Sequence, residues 1–166
     1  MRLLLGILSD SHGRALMVRK AMALFDALGV TQVIHCGDVG GVDVFDEMAG
    51  RKVAFVWGNT DEPEPSVEAY LRTVGIAPPQ AVPVRLECDG KRIAVFHGHE
   101  EGFAAGLRRL EVDYLFHGHT HVARDEHYNG KRIINPGALQ RAARKTVATL
   151  DTVTDCVTFH EIGNAR

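Results

Sequence analysis

Five short apolar runs in this 166-residue chain each end in a cluster of oxygen- and imidazole-bearing side chains. The run 3–8 leads into Ser9-Asp10-Ser11-His12, and the run ending at Ile34 leads into His35-Cys36-Gly37-Asp38. Trp57 is followed by Gly58-Asn59-Thr60-Asp61, Phe96 by His97-Gly98-His99, and Phe116 by His117-Gly118-His119-Thr120-His121. Aspartate, asparagine and neutral imidazole suit Mn²⁺, Fe, Zn²⁺ or Ni²⁺ without help from thiolate. In Asp10-x-His12 and His119-x-His121 the partners are two apart, so extended chain turns both to one side. Glycines beside Asp38, Asn59, His97 and His119 permit tight turns and close approach of a ligand. Asp10, His12, Asp38, Asn59, His97, His119 and His121 are therefore candidate metal ligands. With two divalent cations, the two carboxylates leave an excess of about two positive charges, which favours a phosphate ester over a neutral substrate.

Clusters after strands point to the elements that must carry them. The run 3–8 reads as a buried strand, and 15–28 as a helix with Met17, Ala21, Leu24 and Leu28 inward, widened by Phe25 and capped by Gly29. Residues 30–34 and 53–57 read as further strands around a short helix at 42–49, a βαβαβ alternation that implies a largely parallel sheet. Sites in such sheets form outside the carboxyl ends of the strands, where these clusters lie. Residues 60–80 hold four prolines around a helix-like segment, 67–74, and read as an insertion near the site. The second half is strand-rich. Asp89-Gly90 and Asn129-Gly130 are hairpin turns between 82–88 and 92–96 and between 122–128 and 132–134, with two more strands at 146–150 and 156–160. The residues 99–106 read as a loop shaping the pocket. No repeat or linker divides the chain, so 1–166 is expected to be one domain.

Asp-x-His, Gly-Asp, Gly-Asn, His-Gly-His and Gly-His-x-His, in that order, resemble the calcineurin-like metallophosphoesterase superfamily. Asn135-Pro136-Gly137 after the last motif, with the short length, is similar to its small single-domain YfcE-like phosphodiesterase branch. The resemblance implies an α/β (α+β) fold, a four-layer αββα sandwich of two mixed sheets flanked by helices. It implies one metal held by Asp10, His12, Asp38 and His121, and a second by Asp38, Asn59, His97 and His119, with Asp38 bridging. The implied cofactors are two divalent ions, manganese first, with nickel, iron or zinc as alternatives. The implied reaction is hydrolysis of small phosphate esters by a metal-bound hydroxide, the water's pKa falling from about 15.7 toward roughly 7. Asp38, Asn59 and His99 are the candidate catalytic residues. Larger relatives place a proton-donating histidine right after the asparagine; here Thr60 stands there, and a missing general acid costs on the order of 10²–10⁴ in rate for poor leaving groups. Either His99 substitutes or activated esters are preferred.

Other features have plainer readings. His35 and His117 are expected to pack or bond backbone, and His127 and His160 to lie at the surface. Arg108-Arg109 should face solvent on a helix. Arg141 and Arg144 are read as solvated unless the chain after Asn135-Pro136-Gly137 folds back, where they could reach a phosphate. Cys36, Cys88 and Cys156 form neither a zinc pattern nor a disulfide framework and read as small apolar residues in a reducing compartment. A net charge of −2 without a basic or aromatic stripe argues against extended nucleic acid. Residues 1–8 mimic the front of a signal peptide but end in Ser9-Asp10-Ser11-His12 with no cleavage site, and no run approaches a membrane span, so the expected location is cytoplasmic. A homo-oligomer through an edge strand is left open. A P-loop or dinucleotide-binding reading fails for want of its glycine motifs. The competing reading is a binding scaffold like the retromer subunit that resembles this fold with an altered metal site; a chain retaining every ligand position argues against it.

Overall fold

The computed structural model describes residues 3–163; Met1, Arg2 and residues 164–166 lie outside them, and with them the first two residues of the signal-like start. Ten strands form two five-stranded mixed sheets. The first, ordered β10-β9-β1-β2-β3, contains β1 (Leu4–Leu8), β2 (Gln32–His35), β3 (Val53–Phe55), β9 (Thr146–Asp151) and β10 (Cys156–Glu161). The second, ordered β4-β5-β6-β8-β7, contains β4 (Val84–Cys88), β5 (Lys91–Val95), β6 (Tyr114–Phe116), β7 (Arg124–Tyr128) and β8 (Lys131–Asn135). Each sheet is built on three parallel strands, β1, β2 and β3 in one and β5, β6 and β8 in the other, with antiparallel strands at the flanks.

The layers follow from strand alternation. Leu5 and Ile7 of β1 turn toward the second sheet, where they share a core with Ile34, Val56, Ile93, Val95, Phe116 and Ile134. Leu8 turns the other way, into a core with α1 (Ala15–Leu28), α2 (Val42–Met48) and α3 (Pro65–Thr73). On that face Gly6 is required: a Cβ there would stand 2.7 Å from the Phe25 ring. Behind the second sheet, Ala94, Phe96, Leu115 and Ile133 meet Phe103 and Leu107 of α4 (Phe103–Arg109). The order is therefore helices, sheet, sheet, helix, the four-layer sandwich expected. Among the described residues no helix is long and apolar enough to cross a membrane.

Several expectations shift in detail. In α1 the buried face is Met17, Val18, Ala21, Met22 and Phe25, whereas Leu28 is 43% exposed at the end of the helix, where Gly29 turns the chain left-handed. Part of the expected 99–106 loop is the start of α4; the two glycines in that stretch mask the periodicity, yet Gly106 is buried, and close packing favours glycine there because a Cβ would press 2.9 Å from Phe96. Cys36 and Cys88 are buried free thiols, but Cys156 is exposed on edge strand β10. His160 is half-buried rather than solvated, its Nε2 2.9 Å from the Thr149 hydroxyl.

Candidate metal centre

The ends of β1, β2, β3, β5 and β6 converge on one edge of the sandwich, so every candidate ligand leaves a strand on the same side. Five of the seven, Asp10, His12, Asp38, His119 and His121, have φ between 43° and 68°. Left-handed backbone is costly for residues with a Cβ and clusters where surrounding structure enforces it for function. Here interstrand bonds enforce it: the Asp10 N–H donates to the Gly37 carbonyl (3.0 Å), and the His12 N–H to that of Asp38 (2.9 Å).

The floor is anionic and dry. Asp10 is fully buried and Asp38 nearly so. Asp10 Oδ2 accepts from the Ser9 hydroxyl (2.6 Å) and the His119 N–H (3.1 Å), which leaves Oδ1 facing the imidazoles. Asp38 Oδ1 accepts from the Thr60 N–H (2.9 Å), and its Oδ2 lies 3.6 Å from His12 Nε2 and 3.4 Å from His97 Nε2. Burial pushes the Asp38 carboxyl pKa up, but bonds from Thr60 and the nearby His97 and His12 outweigh it, and the net shift is downward. Burial likewise depresses His12 against the pull of Asp38.

The imidazoles are oriented from behind. The His97 Nδ1–H donates to the Cys36 carbonyl (2.7 Å), so its Nε2 lone pair faces the carboxylates. His121 Nδ1 is 3.4 Å from the Arg141 carbonyl, with Nε2 3.1 Å from Asp10 Oδ1. Asn59 Oδ1 lies 3.0 Å from His97 Nε2. The His119 ring stands edge-on to His97 at 5.0 Å between centroids, and His99 lies 5.3 Å from His97 and 6.2 Å from His119 at the open side.

Two tight groups emerge: Asp10, His12 and His121, and Asp10, Asp38 and His97, with ligand atoms within 4.8 Å of one another in each. They share Asp10, where the sequence-based scheme shares Asp38; Asp38 Oδ2 nonetheless sits between His12 and His97. The donor set fits a divalent cation on a direct test. Asp10 Oδ1 and His12 Nε2 are buried and make no hydrogen bond among the described residues. A buried carboxylate oxygen without a donor is costly, and a cation satisfies it.

His35 and His117 stay out of this set, as expected. His35 accepts from the Gly37 N–H at Nδ1 (3.2 Å) and meets the Ser11 hydroxyl at Nε2 (2.9 Å); burial pushes its pKa down to about 3. His117 lies 3.0 Å from the Gly118 carbonyl and 3.3 Å from Arg124 Nη1, and burial lowers its pKa to about 4. Two carboxylates that sequence reasoning gave no role hold the loops. Asp61 accepts from the N–H groups of Val39 (3.1 Å), Gly40 (2.9 Å) and Gly58 (2.8 Å), tying the loops after β2 and β3 together. Glu100 accepts from the His97 and Gly98 N–H groups, both at 2.7 Å. An acidic residue two or three positions after a glycine-containing strand end is the sequence signal for both, since it can reach back to bare amides.

Comparison with known proteins follows this geometry. Phosphodiesterase MJ0936 of Methanocaldococcus jannaschii is 27% identical over 136 residues, 80% of this chain and 82% of that protein. The solved structure of an archaeal phosphodiesterase superposes with a TM-score of 0.85 at 25% identity, over 96% of this chain and 99% of that one. The phosphoesterase YfcE of E. coli shares the fold at a TM-score of 0.69 and 21% identity, over 97% and 100% of the two chains. Residues 3–155 match the calcineurin-like phosphoesterase superfamily domain. The chain belongs to the calcineurin-like phosphoesterase superfamily, alongside its small single-domain members.

Proposed function

We propose that the protein is a two-metal phosphoesterase that hydrolyses small phosphate esters, phosphodiesters foremost. Asp10, His12, Asp38 and His121 hold one divalent cation and Asp38, Asn59, His97 and His119 the other, with manganese the first candidate and nickel, iron or zinc the alternatives. The observation that carries this reading is the pair of buried, unbonded ligand atoms, Asp10 Oδ1 and His12 Nε2, facing the other donors. Further support comes from the relative named a phosphodiesterase and from Asp38 Oδ2 lying between His12 and His97.

When bound, the cations supply Lewis acidity, lowering the pKa of a water toward neutrality and offsetting charge on the phosphoryl oxygens. The chain does the rest by position. Glu100 and Asp61 fix the loops bearing His97, Asp38 and Asn59, so the donors need no rearrangement when charge develops. Asn59, an exposed residue, presents its amide at the rim next to His97. His99, with its side chain 35% exposed and Nδ1 3.9 Å from Glu100 Oε2, is the proton donor to the leaving oxygen. Thr60 does not take that part: its hydroxyl is 3.5 Å from His12 Nδ1.

The experiment is hydrolysis of an aryl phosphodiester and an aryl phosphomonoester by chelator-treated protein with and without Mn²⁺. Metal-dependent turnover that disappears in Asp38→Ala and His97→Ala is expected. Absence of metal-dependent turnover, or full activity in both variants, refutes the enzyme in favour of a scaffold.

A further inference from the structure

The segment after Asn135-Pro136-Gly137 does fold back onto the centre. The Leu139 N–H donates to the Ser9 carbonyl at 3.2 Å, next to Asp10, and the Arg141 carbonyl lies 3.4 Å from His121 Nδ1. Arg141 is thus fixed by its own backbone against one candidate ligand, in left-handed conformation at φ 55°. Its neighbour is tethered as well. With the Gln140 amide oxygen turned toward Arg14, it accepts from Nη2 and Nε, both at 3.1 Å, and Arg14 follows the Asp10–His12 motif by two residues.

Arg141 is free of the ion pairs that hold three other arginines in this part of the chain. Arg124, Arg132 and Arg144 are each paired with a carboxylate, Arg144 with Glu161 at 2.9 Å. Among the described residues, Arg141 has no carboxylate within ion-pair distance. Its charge nevertheless reaches the centre: Arg141 lies within electrostatic reach of the His12 imidazole. The cavity beside Thr60 is lined by Asp61, Glu62 and Glu64, which repel an anion, whereas the unpaired charge of Arg141 attracts one.

We infer that Arg141 is a substrate-binding residue whose guanidinium takes up anionic phosphoryl oxygens on the His12–His121 side of the centre. This rests on the phosphoesterase reading above. Arginine suits the task because its planar fork matches phosphate oxygens and its charge is permanent. Arg144, taken up by Glu161, has no such role, which separates two arginines that the sequence leaves equivalent.

The test uses the full-length Mn²⁺-loaded protein and the variants Arg141→Met, Arg141→Lys and Arg144→Met. Three quantities are read: bound Mn²⁺, calorimetric affinity for inorganic phosphate, and kcat and KM for an aryl phosphodiester. Arg141→Met should weaken phosphate binding and raise KM by about 10- to 100-fold, the loss of a charge-assisted contact, with bound Mn²⁺ unchanged. Arg141→Lys should recover part of that loss and Arg144→Met should match the parent. Unchanged phosphate affinity and KM in Arg141→Met overturn the inference, as does an equal effect from Arg144→Met. A loss that tracks lost Mn²⁺ also overturns it, because Arg141 would then act only through His121. Failure of the underlying reading looks different: the parent protein itself shows no Mn²⁺-dependent turnover.

Discussion

A single methyl group at Gly118 should damage the centre without replacing any candidate ligand. A Cβ built there lies 1.9 Å from Ser9 Oγ, 2.9 Å from Ser9 Cβ and 2.6 Å from Asp10 Oδ2. Restoring van der Waals separation requires a retreat of about 1.5 Å on one side or the other. Gly118 cannot yield: its N–H donates to the His97 carbonyl (2.8 Å), and its carbonyl accepts from Asn135 Nδ2 (2.9 Å). Rotating the Ser9 hydroxyl away removes its 2.6 Å bond to Asp10 Oδ2 and still leaves two contacts too short. The end of β1 must therefore move, carrying Asp10 with it. Displacement on this scale costs on the order of 10²-fold in turnover, and disturbed outer contacts cost about 10- to 100-fold in metal affinity. Overpacking should lower stability by roughly 1–3 kcal/mol, small enough for the variant to fold. Mn²⁺ affinity by calorimetry and kcat/KM on an aryl phosphodiester are the assays for Gly118→Ala. Gly102→Ala is the control, since nothing lies within 4 Å of its Cβ and its φ of −77° suits any residue. A Gly118→Ala protein that binds Mn²⁺ and turns over within about threefold of the parent would refute the account of how Asp10 is held.

Two further predictions concern the frame. Replacing Asp61 by alanine strands the Val39, Gly40 and Gly58 amides and should cost roughly 2–4 kcal/mol, read as a lowered denaturant midpoint at unchanged slope; an unchanged midpoint would show that water replaces the carboxylate at no cost. His35 and His117 are neutral when folded, with pKa values held at about 3 and about 4 by burial, against an ordinary value near 6.5. Between those limits the unfolded chain binds more protons, so stability of the metal-free protein should be full above pH 6.5 and decline as pH falls toward 3. Urea unfolding at stepped pH measures this decline, and His117→Phe should reduce it; a flat profile from pH 7 to 4 contradicts the assignment.

The sequence carried the strand ends well because burial and chemistry meet there in adjacent residues. An apolar run such as 3–8 can only be interior, and Asp10 just beyond it must then emerge at an edge. Parallel pairing gathers several such edges, so the clustering of Asp10, Asp38, His97 and His121 was legible without coordinates. Asp61 and Glu100 were not read, because their partners are backbone amides, and only the glycine two or three residues before each hints that bare amides lie within reach. Leu28 misled for a related reason: the periodicity extends one turn beyond the surface that α1 has to cover. Arg141 and Arg144 look alike in sequence and are told apart by the backbone contact of Arg141 with His121 and by Glu161, which approaches Arg144 from β10.

The candidate ligands are divided between the sheets: Asp10, His12, Asp38 and Asn59 follow strands of one, and His97, His119 and His121 follow strands of the other. A cation bound among them would therefore be a removable cross-link between two sheets that otherwise meet through an apolar core and a few hydrogen bonds, such as those of His97 with Cys36 and His119 with Asp10. It closes a loop of more than a hundred residues, from Asp10 to His121, in the folded state alone. Metal loading would then report on docking of the two sheets, since each candidate donor group draws on both. Stability and occupancy become one quantity seen from two sides, rising together with free metal concentration.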